Sequence, residues 1–239
     1  MTKKPQCYNK KIILSGDYVE VYDYEKPVWY DHNGNGNGGR SVEADKDGKL
    51  RNRHITLARG KKTVRRLIEA NEGKHGNRDI SITLTFDEHI TDKKDAWRAW
   101  KNLLYNLNYN QKVKAKAIAV PELTEKGRIH IHAIFFGIPF IHQKKWLHMW
   151  KKGHVWLNKV KDKRQLAYIS KYMSKEFVDD GSGTKLYWQT GRLNKPTEVK
   201  EKEKTESLHN SLPETKRVFE STFESEQYGE IRYQKYIMD

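Results

Sequence analysis

The 239-residue chain contains a single cysteine, Cys7, which excludes an internal disulfide and any zinc site built on cysteines. It also lacks an apolar run long enough to span a membrane. The longest such run, residues 129–141, is interrupted by two histidines, a glycine and a proline. The amino-terminal stretch MTKKPQCYNKK has no apolar core of a secretion signal. These absences predict a cytoplasmic protein that does not interact with membranes.

A phosphate-binding loop of the form G-x-x-x-x-G-K-[ST] is also missing. The sequence therefore predicts no nucleotide cofactor and no ATPase activity, so any helicase would have to come from a host cell. The glycines of NGNGNGGR, residues 33–40, do not lie between a strand and a helix. This stretch is more typical of a flexible linker than of a phosphate site.

Positive charge, in contrast, is abundant. The chain has 46 Lys and Arg against 31 Asp and Glu, a net charge of +15, which indicates a polyanionic partner such as nucleic acid. Residues 195–239 hold 8 basic and 10 acidic side chains, a net of −2, so residues 1–194 carry a net of +17. We therefore expect the nucleic-acid surface in the first four fifths of the chain.

The patterning divides the chain into three parts. Residues 1–79 form an accessory segment that is rich in predicted strands and basic side chains. Its densely basic stretch, residues 51–78, is typical either of a DNA-backbone contact or of a solvated face. Residues 80–178 form a regular core. Residues 179–239 form an extension with a polar, mobile linker and a closing hairpin.

The core alternates predicted strands and helices in the order βαββαβα. Three helices are predicted, and the third, residues 162–177, has Asp162 as its N-cap. The stretches AIAVPE and RIHIHAIFF flank the turn LTEKG and predict a hairpin. This order predicts an α+β fold of the ferredoxin-like or RRM-like type, an antiparallel sheet with helices on one face. The other face is then free to hold a site.

His130 and His132 are two residues apart in a predicted strand, so both imidazoles project from the same face. Such a pair alone is more often a buried, hydrogen-bonded pair than a metal site. Glu122, however, falls opposite His130 in the predicted hairpin. Two imidazoles and a carboxylate suit Mn²⁺ or Mg²⁺, whereas the competing carboxylate of Glu125 lies in the turn.

The last predicted helix repeats one unit, Tyr168-Ile-Ser-Lys171 followed by Tyr172-Met-Ser-Lys175. On an α-helix, residues four apart share a face, so the two hydroxyls would point the same way. A tyrosine with its ordinary pKa of about 10 attacks phosphorus only if the phosphate is strongly activated. The repeat is therefore either an amphipathic surface or a pair of nucleophiles assisted by Lys171.

Three stretches in order, ITLTF, HIHAIFFG and YISKYMSK, resemble the three motifs of the HUH endonuclease superfamily. The resemblance is strongest to the rolling-circle replication initiators (Rep proteins) of plasmids and single-stranded DNA phages, and it covers residues 80–177. It implies the HUH palm fold, with His130, His132 and Glu122 as metal ligands. It further implies Tyr168 as the catalytic nucleophile, Lys171 as its partner, and Tyr172 as a candidate second nucleophile.

Members of that family nick single-stranded DNA at an origin hairpin, retain the 5′ phosphate on tyrosine and release a 3′-hydroxyl primer. The resemblance thus implies a DNA nickase and strand transferase in a prokaryotic host, with a host helicase and polymerase as partners. In single-tyrosine members only one tyrosine reacts, and Tyr172-x-x-Lys175 also satisfies the motif; we favour Tyr168. Four further side chains are candidate DNA contacts: Thr83, Thr85, Arg128 and Lys175.

Two alternatives stay open at this point. An HUH-type transposase shares the chemistry, although small transposases usually lack such long flanking segments. A non-catalytic, RRM-like nucleic-acid-binding module is the other, and it predicts exposed aromatic side chains on the central strands. The predicted strands present Thr83, His130 and His132 there instead. We expect the tryptophans at 146, 150 and 156 to lie mostly in the core, with one of them able to stack on a base.

Overall fold

The computed structural model describes residues 6–30, 46–159, 168–173, 177 and 185–238. The chain forms two compact units, which differ from the three-part division suggested by the sequence. The terminal unit comprises Met1–Ala44 and Lys195–Asp239, and the central unit comprises Asp45–Asn194. The linker predicted at residues 33–40 lies outside the described residues.

The fold is α+β, as predicted, with two antiparallel five-stranded sheets. The described elements are, in chain order, β1 (Gln6–Ser15), β2 (Tyr18–Tyr30), α1 (Lys46–Glu69), β3 (Arg78–Leu84), α2 (Lys93–Gln111), β4 (Lys116–Leu123), β5 (Ile129–Ile138), α3 (Gln143–Trp150), β6 (Val155–Lys159), a 3₁₀-helix (Tyr168–Tyr172), β7 (Trp188–Thr190), β8 (Thr197–Val199), α4 (Lys202–Ser211), a 3₁₀ turn (Glu214–Lys216), β9 (Arg217–Ser225) and β10 (Gly229–Ile237). Among these described elements, no helix is both long and apolar enough to cross a membrane.

The sheet of the central unit has the strand order β6-β3-β5-β4-β7. Helix α2 begins after Asp92, whose carboxylate accepts a hydrogen bond from the Lys94 N–H, and presents an apolar stripe to this sheet. Buried Trp100 and Leu103 of that stripe pack in one core with Phe135 of β5 and Trp146 of α3. The predicted order from β3 to β6 is thereby confirmed, with α2 and α3 on one face of the sheet.

The opposite face is not free, contrary to our expectation. Helix α1, which the sequence did not predict, packs there together with the 3₁₀-helix. The buried side chains that form this second core are Val64, Leu67, Ile68, Ile118, Val120, Ile134, Phe136, Ile169 and Met173. Gly60 allows the close approach, since a Cβ on it would lie 2.8 Å from Met173 Cε. The basic stretch at 51–78 therefore contains a packed helix with a solvated outer side.

The tyrosine repeat adopts a tighter helix than predicted. Residues 168–172 form a 3₁₀-helix rather than part of an α-helix, and Asp162, the predicted N-cap, lies outside the described residues. In a 3₁₀-helix residues i and i+3 eclipse one another. Tyr168 is therefore aligned with Lys171, whereas an α-helix would align it most closely with Tyr172.

In the terminal unit, the sheet has the order β8-β1-β2-β10-β9. The polar stretch around residues 197–216, predicted to be a mobile linker, instead contains β8 and α4. Leu208 and Leu212 pack against the buried side chains of Ile12 and Tyr236, which explains why this polar segment is ordered. Strands β9 and β10 form an antiparallel hairpin where the alternating carboxy-terminal sequence predicts one.

Candidate metal centre and tyrosine segment

The register of the central sheet brings the predicted ligands together. In the β4–β5 hairpin Glu122 is the direct partner of His130, and Val120 is the partner of His132. On the other side of β5, His132 is paired with Thr83 of β3. Because directly paired residues in an antiparallel sheet point to the same side, all these side chains lie on the face opposite α2 and α3. We call this side the site face.

Glu122, His130 and His132 form a compact group, which we call the His–Glu cluster. One ligand atom from each residue lies within 4.8 Å of the others, and the carboxylate Oε2 of Glu122 is 2.7 Å from Nε2 of His132. Two imidazole nitrogens and a carboxylate oxygen leave open positions around a divalent ion, so this donor set fits Mn²⁺ or Mg²⁺. Glu125 is exposed in the turn and is not part of the group.

The electrostatics of the cluster favour a neutral His130. Burial is the main cause that lowers the pKa of His130 from its ordinary value, and His132 and Arg128 lower it further, while Glu122 opposes them. A neutral imidazole is the form that binds a metal, because the protonated ring has no free nitrogen lone pair. Arg128 thus contributes to the field at the cluster, and its side chain is exposed on the approach to β5.

Thr83 supports the cluster from the neighbouring strand. Its Oγ1 lies 3.2 Å from Nδ1 of His132, while Nε2 of the same ring faces Glu122. When Nε2 coordinates an ion, Nδ1 carries the proton and donates it to Oγ1, which fixes the ring's tautomer and orientation. His132 is only 8% exposed, so few other groups compete for these contacts.

The two tyrosines adjoin this cluster in a continuous line of rings. The ring of Tyr172 stacks on His132 with centroids 3.6 Å apart and planes inclined by 5°. Tyr168 packs edge-on against Tyr172 at 5.9 Å, and its ring is 50% exposed. The Lys171 ammonium nitrogen lies 4.0 Å from the Tyr168 ring centroid. The 3₁₀ geometry thus places one cation directly at Tyr168.

The two phenols have different surroundings. Burial raises the pKa of Tyr172, and the nearby Tyr168 and Glu122 raise it further. The Tyr172 hydroxyl is therefore held in its neutral form, and its ring serves as a packing surface for His132. Tyr168 projects further into solvent and has the closer ammonium group. This contrast favours Tyr168 as the more available nucleophile.

Two features that the sequence did not reveal hold the tyrosine segment, residues 168–173, in place. Ile169 and Met173 are buried in the core that α1 forms with the sheet. Beyond the end of the segment, the ammonium of Lys93 donates a hydrogen bond of 3.1 Å to the Phe177 carbonyl. Lys93 is only 2% exposed, and nothing in the sequence marks a lysine at a helix start as buried.

The remaining candidates lie in different places. Thr85 Oγ1 accepts a hydrogen bond from the His154 backbone N–H, which ties β3 to the start of β6. Lys175 lies outside the described residues. Trp146 and Trp150 are buried, as expected, but Trp156 is 59% exposed and is not a core residue. Its exposure places an aromatic ring on a strand edge, where the sequence pattern alone suggested packing.

One comparison with known proteins gives a match. Residues 79–177 match the model of a family described as replication-associated protein, of the ORF2 and gene-2 protein type. The matched segment is less than half of the chain, and it contains the complete His–Glu cluster and both tyrosines. No curated protein and no solved structure matches the chain. The match supports a relationship between the central unit and replication initiators.

Proposed function

We propose that this chain is an HUH-type initiator of rolling-circle replication, a metal-dependent endonuclease and strand transferase acting on single-stranded origin DNA. The observation that carries the proposal is the direct contact between the tyrosine segment and the His–Glu cluster through Tyr172 and His132. A candidate nucleophile and a candidate metal site are thereby adjacent. Both lie in the segment that matches a replication-associated family.

The reaction follows from these groups. A divalent ion held by the His–Glu cluster would withdraw negative charge from a phosphate oxygen of the DNA. The Tyr168 hydroxyl loses its proton to solvent, and its oxygen forms a bond to phosphorus. The P–O3′ bond breaks, and O3′ leaves with the electron pair and takes up a proton. The products are a 5′-phosphotyrosine link and a free 3′-hydroxyl primer.

Lys171 and Thr83 assist without entering the covalent chemistry. The Lys171 ammonium next to the Tyr168 ring stabilises the phenolate that forms on proton loss. Thr83 holds the His132 ring in one orientation. Because one phosphoester bond is exchanged for another, the step is reversible, and a 3′-hydroxyl can displace the tyrosine to rejoin a strand. Tyr172 acts in this scheme as a packing partner of His132, and a second nucleophilic role for it is open to direct test.

A host helicase and polymerase would then extend the primer, since the sequence contains no phosphate-binding loop. In this proposal the protein acts in the cytoplasm of a prokaryotic host. The positive charge that binds DNA lies in the central unit. Residues 45–194 contain 32 Lys and Arg and 15 Asp and Glu, a net of +17, whereas the terminal unit has a net of −2.

Covalent capture tests the proposal. The protein is incubated with single-stranded oligonucleotides that cover both strands of the DNA around its gene, with Mn²⁺ or with EDTA. We expect an SDS-resistant adduct that requires Mn²⁺, disappears with Tyr168→Phe and weakens strongly with Glu122→Gln. Tyr105→Phe, an exposed tyrosine on α2, is the matched control and should leave the adduct unchanged.

An adduct that persists in Tyr168→Phe and disappears only in the double variant with Tyr172→Phe would make Tyr172 a working nucleophile. Salt-sensitive DNA binding without any adduct would reject the enzyme and leave a non-catalytic binding module. Nicks with no protein attached would reject tyrosine attack, since water would then be the nucleophile.

A further inference from the structure

The edge strand of the central sheet carries an exposed stripe that the proposed reaction does not use. Strand β6 is paired with β3 alone among the described strands, and Trp156 is the direct partner of Thr83. Trp156 therefore projects from the site face, together with its neighbours at two-residue spacing, His154 and Asn158. All three are exposed. We call them the edge stripe.

Trp156 differs from the tryptophans in the core of the same unit. Trp100, Trp146, Trp150 and Trp188 are each at most 3% exposed, whereas Trp156 is 59% exposed. Its ring is in contact with the His154 imidazole, with centroids 5.9 Å apart and planes inclined by 36°. An exposed indole supported by a second flat ring is a suitable surface for stacking by another planar group.

The edge stripe is continuous with the His–Glu cluster. Thr83 lies between Trp156 and His132 in a single row across the sheet, and Ser81 occupies the next row on the same strand. Two strand spacings separate Trp156 from His132, roughly 10 Å, a distance that a short run of nucleotides covers. The surface between them bears hydroxyl groups, which donate hydrogen bonds to phosphates and sugars.

Charge decides what occupies this surface. The central unit, residues 45–194, has a net charge of +17, which opposes a basic protein partner and attracts a polyanion. Exposed Lys151 and Lys152 lie just before β6, and Arg128 and Lys171 are exposed near the cluster. Aromatic rings flanked by basic side chains are the combination that single-stranded nucleic acids bind. Double-stranded DNA does not fit, because its bases are stacked on one another and cannot stack on Trp156.

We propose that Trp156, supported by His154, stacks on a base of single-stranded DNA and so positions the strand with its reactive phosphate at the His–Glu cluster. The inference rests on the proposed function, since that function supplies the single strand and the phosphate. Trp156 is a positioning residue, because it touches the DNA away from the reacting atoms. Stacking tolerates all four bases, so the contact sets where the strand lies without selecting its sequence.

Binding in EDTA tests the stacking without the chemistry. The probe is a fluorescently labelled oligothymidylate, and a duplex of mixed sequence serves as the comparison. Removing one stacked base contact with Trp156→Ala should raise the Kd for the single strand about 5- to 150-fold, and Trp156→Phe should recover most of the affinity. Tyr105→Ala, which removes a similarly exposed ring from α2 behind the sheet, should leave the Kd unchanged.

Photo-crosslinking supplies a local readout that a general loss of stability would not produce. Oligothymidylate containing 5-iododeoxyuridine is irradiated on the full-length wild-type protein, and the crosslinked peptide is identified by mass spectrometry. We expect the crosslink on Trp156. A crosslink confined to other residues, or an unchanged Kd in Trp156→Ala, would overturn the inference.

The outcomes separate this inference from the proposed function. If the covalent adduct forms but Trp156→Ala binds as the wild type does, the stacking role is wrong and the nuclease proposal stands. If no adduct forms under any condition while Trp156→Ala weakens single-strand binding and the crosslink maps to Trp156, the nuclease proposal fails and the stacking surface stands.

Discussion

Replacing Thr83 by valine tests whether the His–Glu cluster depends on support from β3. Valine has nearly the shape of threonine, so the change removes the hydroxyl that lies 3.2 Å from Nδ1 of His132 and little else. A hydrogen bond of this kind contributes about 0.5–1.5 kcal/mol, and loss of an outer partner of a metal ligand weakens metal binding about 10- to 100-fold. The two ranges overlap near a tenfold rise in the Kd for Mn²⁺.

Isothermal titration of the metal-depleted protein with Mn²⁺ measures this effect. Thr85→Val is the matched control, because Thr85 lies two residues further along, and its hydroxyl accepts a hydrogen bond from His154 rather than from a cluster residue. We expect Thr85→Val to bind Mn²⁺ as the wild type does. An unchanged Kd in Thr83→Val, or equal losses in both variants, would refute the idea that Thr83 orients His132.

Two further predictions concern groups that support the site from outside it. Lys93→Met leaves the Phe177 carbonyl without its ammonium donor and should lower the free energy of unfolding in urea by about 1–3 kcal/mol, whereas exposed Lys94→Met should not change it. Burial and the adjacent Lys116 lower the pKa of His75, so unfolding binds a proton at mildly acidic pH, and stability should fall as the pH drops through the unfolded value near 6.5. His75→Gln should reduce that slope in denaturation measured across this range, and an identical slope would show that other groups cause it.

The sequence was most informative where short-range periodicity decides the outcome. Alternation with a period of two placed His130 and His132 on one face, and the length of the hairpin turn placed Glu122 opposite His130. Both features are local, so the cluster could be predicted before any tertiary contact was known. The order of strands and helices from β3 to β6 followed from the same periodicity.

What the sequence did not predict depends on long-range packing. Helix α1 carries only a narrow apolar side, with Val64, Leu67 and Ile68 among many lysines and arginines, so the charge obscured its amphipathic pattern. The 3₁₀ form of residues 168–172 likewise accompanies the packing of Ile169 and Met173 against that helix. The exposure of Trp156 could not be inferred from composition, because edge and central strands have the same alternation.

The most direct test of the central claim is to identify the atom that holds the DNA. The covalent complex formed with Mn²⁺ is isolated, digested with nuclease and trypsin, and its modified peptide is sequenced by mass spectrometry. The account predicts a nucleotide joined through phosphate to Tyr168, with no such peptide when EDTA replaces Mn²⁺. A nucleotide on a residue outside the tyrosine segment, or the same peptide in EDTA, would contradict it.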